Sequence, residues 1–255
     1  MQLIAILIFL VGFSSLLYYL YKPKQPLTQP DELVEEELLS KYVVFYQQLS
    51  IIEKKEFLQR VRYFLSHVRI VGVNTTVEDI DKVFIAAGAI IPIFAFKNWT
   101  YKNIHEVLVY PNSFSRDYRT EGKDRFILGQ IGEGAMQNMM ILSQQALRAG
   151  FLYPKDQSNT AIHEFVHLVD KSDGYTDGDP ETLIPHQYSI PWLKRIHEEI
   201  QLVQSGDSDI NPYATTNQAE FLAVASEYFF EQPDKMEAKH PELYKALTKI
   251  FQTEV

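Results

Sequence analysis

The chain has 255 residues, a formal net charge of −9 and an apolar fraction of 46%. That is enough apolar side chain for a substantial core, in one large domain or two small ones, and the acidic balance argues against a nucleic-acid partner. There is no cysteine, which excludes disulfides, thiolate metal ligands, a thiol nucleophile and a lipidated N-terminal cysteine, and agrees with a reducing compartment.

The chain opens with "QLIAILIFLVGFSSLLYYLY", Gln2 to Tyr21, without a charged side chain. Its length predicts one transmembrane helix, with Tyr18, Tyr19 and Tyr21 as an aromatic belt at one end. A cleaved signal peptide would need a basic start and a small-residue cleavage site, and neither is visible. Lys22 and Lys24 flank the C-terminal end, so the positive-inside rule puts the body in the cytoplasm. The expectation is an inner-membrane, single-pass protein: an anchor over 1–21, a proline-containing linker over 22–31 and a domain over 32–255.

Within that domain "ELVEEELLSKYVVFYQQL" has helical apolar spacing. "EKKEFLQRVRYFLSHV" predicts an amphipathic helix with Phe57, Val61, Phe64, Leu65 and Val68 on one face. "VEDIDKVFIAAGAIIPIFAF" becomes apolar all round and predicts a buried helix that Pro92 ends or bends. "EVLVYP", "RFILGQIG" and "NMMILS" predict strands, with Gly132 and Gly134 in the turn between the last two. "NMMILS" is either an edge strand that holds a substrate backbone by β-addition or a core strand. Beyond residue 155 the pattern is mainly helical, so the expected class is α+β.

"NTAIHEFVHLVDKSDG" carries two histidines four residues apart. On a helix, His163 and His167 share a face and can aim at one Zn²⁺, while Glu164 projects beside the metal, where it can take a proton from water. The alternative is two helix histidines satisfied by hydrogen bonds. Ala161, Ile162, Phe165, Val166, Leu168 and Val169 make the rest of the helix apolar, and burying three polar groups there is costly unless something binds them. Asp170 points along the helix rather than toward a metal. Asp173, Asp177 and Asp179 lie in "KSDGYTDGDP", expected to be a solvated loop, with loop shaping or a second cation as alternatives. In "YATTNQAEFLAVASEYFFE" a cap at Thr216 or Asn217 puts Glu220 in a first helical turn. Glu220 is the candidate third ligand. Glu227, two turns on, either supports the ligands or makes an ordinary polar contact.

"HEFVHLVDKSDG" and "YATTNQAEFLAVASEYFFE", with "AAGAIIPIF", "VLVYPNSF" and "GQIGEGAM", resemble the Mlc titration factor A family of zinc-dependent peptidases, over roughly residues 55–235. The resemblance implies a zincin-like domain related to the anthrax lethal factor catalytic domain. It implies Zn²⁺ on His163, His167 and Glu220, with Glu164 as general base and Tyr213 near the metal, where it would stabilise an oxyanion. The "AEFF" of the family's ligand helix reads "AEFL" here.

The expected function is thus a membrane-anchored, gluzincin-like zinc metallopeptidase acting on a peptide or protein substrate. The alternative is a regulatory protein-binding module on a peptidase scaffold, with weak or no catalysis. The resemblance implies a transcriptional regulator as partner, and the N-terminal segment, absent from the soluble enzymes of the family, sets this chain apart from them.

Overall fold

Glu32–Tyr42 forms α1, whose first turn is capped by the Asp31 carboxylate accepting Leu33 N–H. The computed structural model describes residues 29–115, 127–132, 134–154, 157–183 and 186–252. A short α2 (Val44–Gln48) precedes α3 (Ile51–His67), the expected amphipathic helix. Ser50 and Glu53 cap α3 reciprocally, and Phe57, Val61, Phe64 and Leu65 are buried along one face. β1 (Arg69–Gly72) leads into α4 (Asp79–Ile90), in which every residue from Val83 to Ile90 is buried. A 3-10 turn at Ile91–Ile93 follows. Pro92 ends the α-helix there because it has no N–H for the helical ladder.

β2 (Glu106–Tyr110), β3 (Gly129–Ile131) and β4 (Met139–Ser143) complete a four-stranded sheet of order β1-β2-β4-β3. β1 with β2 and β2 with β4 are parallel, while β3 runs antiparallel to β4. β4, the "NMMILS" strand, is therefore a core strand, and β3 stands at the edge.

The remaining elements are helical: α5 (Gln144–Leu152), α6 (Thr160–Asp170), α7 (Ser189–Ser205), α8 (Gln218–Glu231), α9 (Pro233–Lys239) and α10 (Pro241–Phe251). One core joins α1, α3, α4, β2, β4, α6, α8 and α10 through Leu39, Phe57, Phe84, Val107, Met140, Phe165, Phe221 and Leu243. Fully buried Asp81 of α4 pairs with Arg148 of α5 at 2.7 Å, tying those helices together. α4 lies directly behind α6: a Cβ on Gly88 would stand 2.6 Å from Ala161 Cβ, so only glycine allows this approach. The expected α+β class is the one found.

The expected anchor, residues 1–21, lies outside the described residues, as does most of the expected linker. Among the described residues no helix is long and apolar enough to cross a membrane. The longest described helices, α3 and α7, have 17 residues each and bury only one face. α4 is apolar almost all round but has 12 residues, against the ~20 a bilayer requires. The expectation of a single-pass inner-membrane protein is overturned on that finding.

Candidate metal centre

The site is built where α6 meets α8. Asn159 starts α6, its Oδ1 accepting Ile162 N–H at 3.2 Å. Asn217 starts α8 in the same way, accepting Glu220 N–H at 2.8 Å, which fixes Glu220 in the first turn. Both helices are buried along most of their length, so their polar side chains meet in a largely dry seam.

Three atoms converge there. His163 Nε2 is 3.0 Å from Glu220 Oε2 and 3.1 Å from His167 Nε2, and His167 Nε2 is 3.5 Å from Glu220 Oε2. No other group of histidine and carboxylate side chains among the described residues gathers in this way. His163 Nδ1 lies 2.7 Å from Glu227 Oε1. An ionised carboxylate only accepts, so Nδ1 carries a hydrogen, and in the neutral ring that a metal would require the Nε2 lone pair faces the cluster. Glu227 Oε2 accepts Asn159 N–H at 2.5 Å. One carboxylate thus orients a ring and holds the start of its helix.

The donor set fits a zinc ion. Four-coordinate Zn²⁺ with bonds of about 2.0–2.1 Å separates neighbouring ligand atoms by about 3.3 Å. The three distances here, 3.0, 3.1 and 3.5 Å, bracket that spacing. Two imidazole nitrogens and one carboxylate oxygen are also the atom types of a catalytic rather than a closed structural site. The two histidines are not held alike: His167 Nδ1 is buried with no hydrogen-bond partner among the described residues.

Electrostatics follow from the same contacts. Burial opposes charge on His163, yet Glu227 and Glu220 outweigh it and hold the imidazole well above its ordinary value. Burial also acts against Glu220, but His163 and His167 pull its carboxyl far below the usual range. Glu164 is 6% exposed, and burial pushes it up against the opposing pull of the histidines. Tyr213 stands at the rim, 53% exposed, its ring centroid 6.1 Å from that of His163. Partial burial, then Glu220 and Glu164, push its phenol up.

Asp170 takes no part in the cluster. It is fully buried, and both its oxygens accept Gly178 N–H, at 3.1 and 2.9 Å. Burial raises it to about 7 despite that backbone bond. Gly178 has φ +83°, and a Cβ there would stand 2.5 Å from Gln218 O. The loop after α6 is thereby clamped against the start of α8. Asp177 and Asp173 accept main-chain N–H groups two residues on, at Asp179 and Tyr175. The aspartates expected in a solvated loop shape it, and Asp179 is buried.

Gly129 is the neighbour that sequence reasoning missed. A Cβ on it would stand 2.6 Å from both Glu164 Cγ and Oε1. The signal was present: a glycine inside the strand pattern "RFILGQIG" marks a close approach.

The model of the glucose-regulated metallo-peptidase M90 family matches residues 23–252. Mlc titration factor A of Pectobacterium atrosepticum is 30% identical over 218 residues, covering 80% of each chain. Mlc titration factor A of an Enterobacter species is 28% identical over 241 residues, covering 88% of each. The uncharacterized protein slr2042 of Synechocystis is 28% identical over 262 residues, covering 98% of this chain and 94% of its own. With nearly its whole length inside one family model and a histidine–carboxylate cluster compatible with a metal ion, the chain belongs to the glucose-regulated metallo-peptidase M90 family.

Proposed function

We propose that the chain is a zinc-dependent peptidase, with His163, His167 and Glu220 as metal ligands, Glu164 as general base and Tyr213 as oxyanion donor. The observation that carries this reading is the convergence of three ligand atoms within 3.5 Å of one another, with Glu164 on the same helix and Glu227 behind His163. The metal, when bound, supplies a Lewis acid that makes water a nucleophile near neutral pH. Glu164 accepts the proton of the attacking water and returns it to the leaving amine. Burial suits it to that task, because a carboxylate pushed up holds a proton better than an ordinary one. The Tyr213 phenol donates to the carbonyl oxygen as its charge grows.

β3 offers a way to hold the peptide. Leu128 and Gly132 bond to β4 through Ser143 N–H and Met139 O. By alternation Gly129 and Ile131 direct their N–H and C=O groups away from β4. An extended substrate pairing with that side would run close to Glu164, whose carboxylate fills the space that a side chain on Gly129 would take.

The test is metal analysis of the purified protein together with peptide turnover, each compared with Glu164→Gln. About one zinc per chain in both proteins, with turnover only in the wild type, supports the reading. Equal turnover removes Glu164 from its role.

A second reading is favoured by the relatives named Mlc titration factor A: a module that binds a transcriptional regulator on a peptidase scaffold. It predicts full zinc, no peptide turnover, and binding of such a regulator that survives Glu164→Gln.

A further inference from the structure

A pocket of about 340 Å³ opens between α3 and the segment that follows α4, within the size range of small-molecule sites. Phe64, Ile93, Trp99 and Tyr101 form its walls, and Arg60 and Lys97 contribute the charge. Phe64 and Tyr101 touch Phe165 of α6, with ring centroids 5.5 and 5.3 Å away. Phe165 follows His163 by two residues, about 200° around the helix, so the pocket lies behind α6, away from the metal cluster.

Its charge is unusual for this protein. The chain is acidic overall, at −9, yet no carboxylate is among the described residues lining the pocket. Arg60 is part-buried and, among the described residues, donates to main-chain carbonyls: Phe94 O at 2.7 Å, Ile93 O at 2.9 Å and Trp99 O at 3.4 Å. Those bonds use three of its five N–H donors. Burial pulls the guanidinium below its ordinary value, against the weaker opposing effects of Tyr101 and Glu56. The carbonyl bonds also fix the shelf that carries Trp99. The aromatic walls suit a flat ring packed edge-to-face, and a planar carboxylate suits a guanidinium.

We propose that this pocket binds a small aromatic carboxylate, its ring among Phe64, Trp99 and Tyr101 and its charge at Arg60 and Lys97. The inference does not depend on what the cluster on α6 and α8 does.

The chain's two tryptophans separate the two regions. Trp99 lines the pocket. Trp192 is buried beside the clamp, donating to Gly178 O at 2.6 Å and packing 6.4 Å from Phe221 of α8. Full-length protein is titrated with phenylacetate, and with phenethylamine as the cationic counterpart, while tryptophan emission is followed. Phenylacetate should give a saturable change that persists in Trp192→Phe and disappears in Trp99→Phe, and phenethylamine should give none. Lys97→Glu, at an exposed position that leaves the core intact, should weaken the apparent affinity by about fivefold. No saturable response, an equal response to phenethylamine, or a response carried by Trp192 alone would overturn the proposal. If Trp192→Phe does not fold, the comparison of wild type with Trp99→Phe still decides.

Discussion

Glu227 Oε1 lies 2.7 Å from His163 Nδ1, on the side of the ring opposite the cluster. In the neutral ring that contact selects the imidazole tautomer whose Nε2 lone pair faces Glu220 and His167, and it joins α8 to α6 a second time, beyond Glu220.

The first prediction follows from it. Glu220→Ala, which removes a proposed ligand atom, should abolish stoichiometric zinc. Glu227→Gln should keep the fold but lower zinc affinity about 10–100-fold, the usual effect of losing a carboxylate that orients a ligating histidine. Competition against a chromogenic chelator measures both. Unchanged affinity in Glu227→Gln would reduce that carboxylate to a helix-start contact with Asn159.

Glu164→Gln should keep zinc and lose peptide hydrolysis by about 10²–10⁴-fold, because it deletes a proton acceptor and no ligand. Tyr213→Phe should cost about 10²–10³ in kcat with zinc unchanged. Steady-state kinetics on a quenched fluorescent peptide, with metal content measured alongside, check both.

Gly129→Ala would put a methyl group 2.6 Å from Glu164 Oε1. Either β3 moves outward or Glu164 leaves its position. The expected result is a loss of about 1–3 kcal/mol in stability, full zinc content, and a fall in turnover approaching that of Glu164→Gln. Normal turnover would mean that the strand yields and the carboxylate does not depend on it.

A fourth prediction concerns pH, away from the metal. His240 Nε2 lies 2.9 Å from Asp209 Oδ1, and Lys239 and Lys235 reach Asp209 Oδ2 at 2.8 and 3.1 Å. Although burial works against it, Lys239, His240 and Lys235 hold the Asp209 carboxyl well below its ordinary value. Glu199, and then Asp209, raise His240 against the effect of burial. A depressed carboxylate contributes stability above its unfolded pKa, near 3.9, and loses it as pH falls through the folded value. A raised histidine contributes fully below about 6.5 and loses it as pH rises through the folded value. Asp209→Asn should therefore cost most, about 1–3 kcal/mol, between about pH 4 and 6.5. The difference should shrink at alkaline pH and vanish in acid. Thermal unfolding of both proteins across pH tests this, and a pH-independent difference would contradict it.

The helices of the site were legible because their signals are local. The four-residue spacing of His163 and His167, the apolar remainder of α6 and the cap at Asn217 all lie within one turn or one face. Glu227 was visible as a carboxylate on a buried helix, but its partner is 64 residues away, and no spacing rule reaches that far. Asp170 and Gly178, read as helix end and solvated loop, bond to each other locally, but the packing of Gly178 on Gln218 at the start of α8 joins positions far apart in the chain. Strand existence was legible for β2, β3 and β4, whereas the interior position of β4 depends on crossover connections that the residues of a strand do not encode. The membrane expectation rested on residues 2–24, their apolar run, tyrosines and flanking lysines, with no support from a described helix.

The contact of Gly88 with Ala161 leaves almost no side chain between α4 and α6. A helix seated backbone on backbone has no compliant layer beneath it, so His163 and His167 form the stationary jaw of the cluster. Glu220 comes from the first turn of α8, where intrahelical N–H bonds are missing and the Asn217 cap, with Gly178 packed on Gln218, holds the end. On the proposed ligand set, weakening the Asn217 cap should loosen the Glu220 side of the cluster and so speed ion exchange more than it lowers affinity.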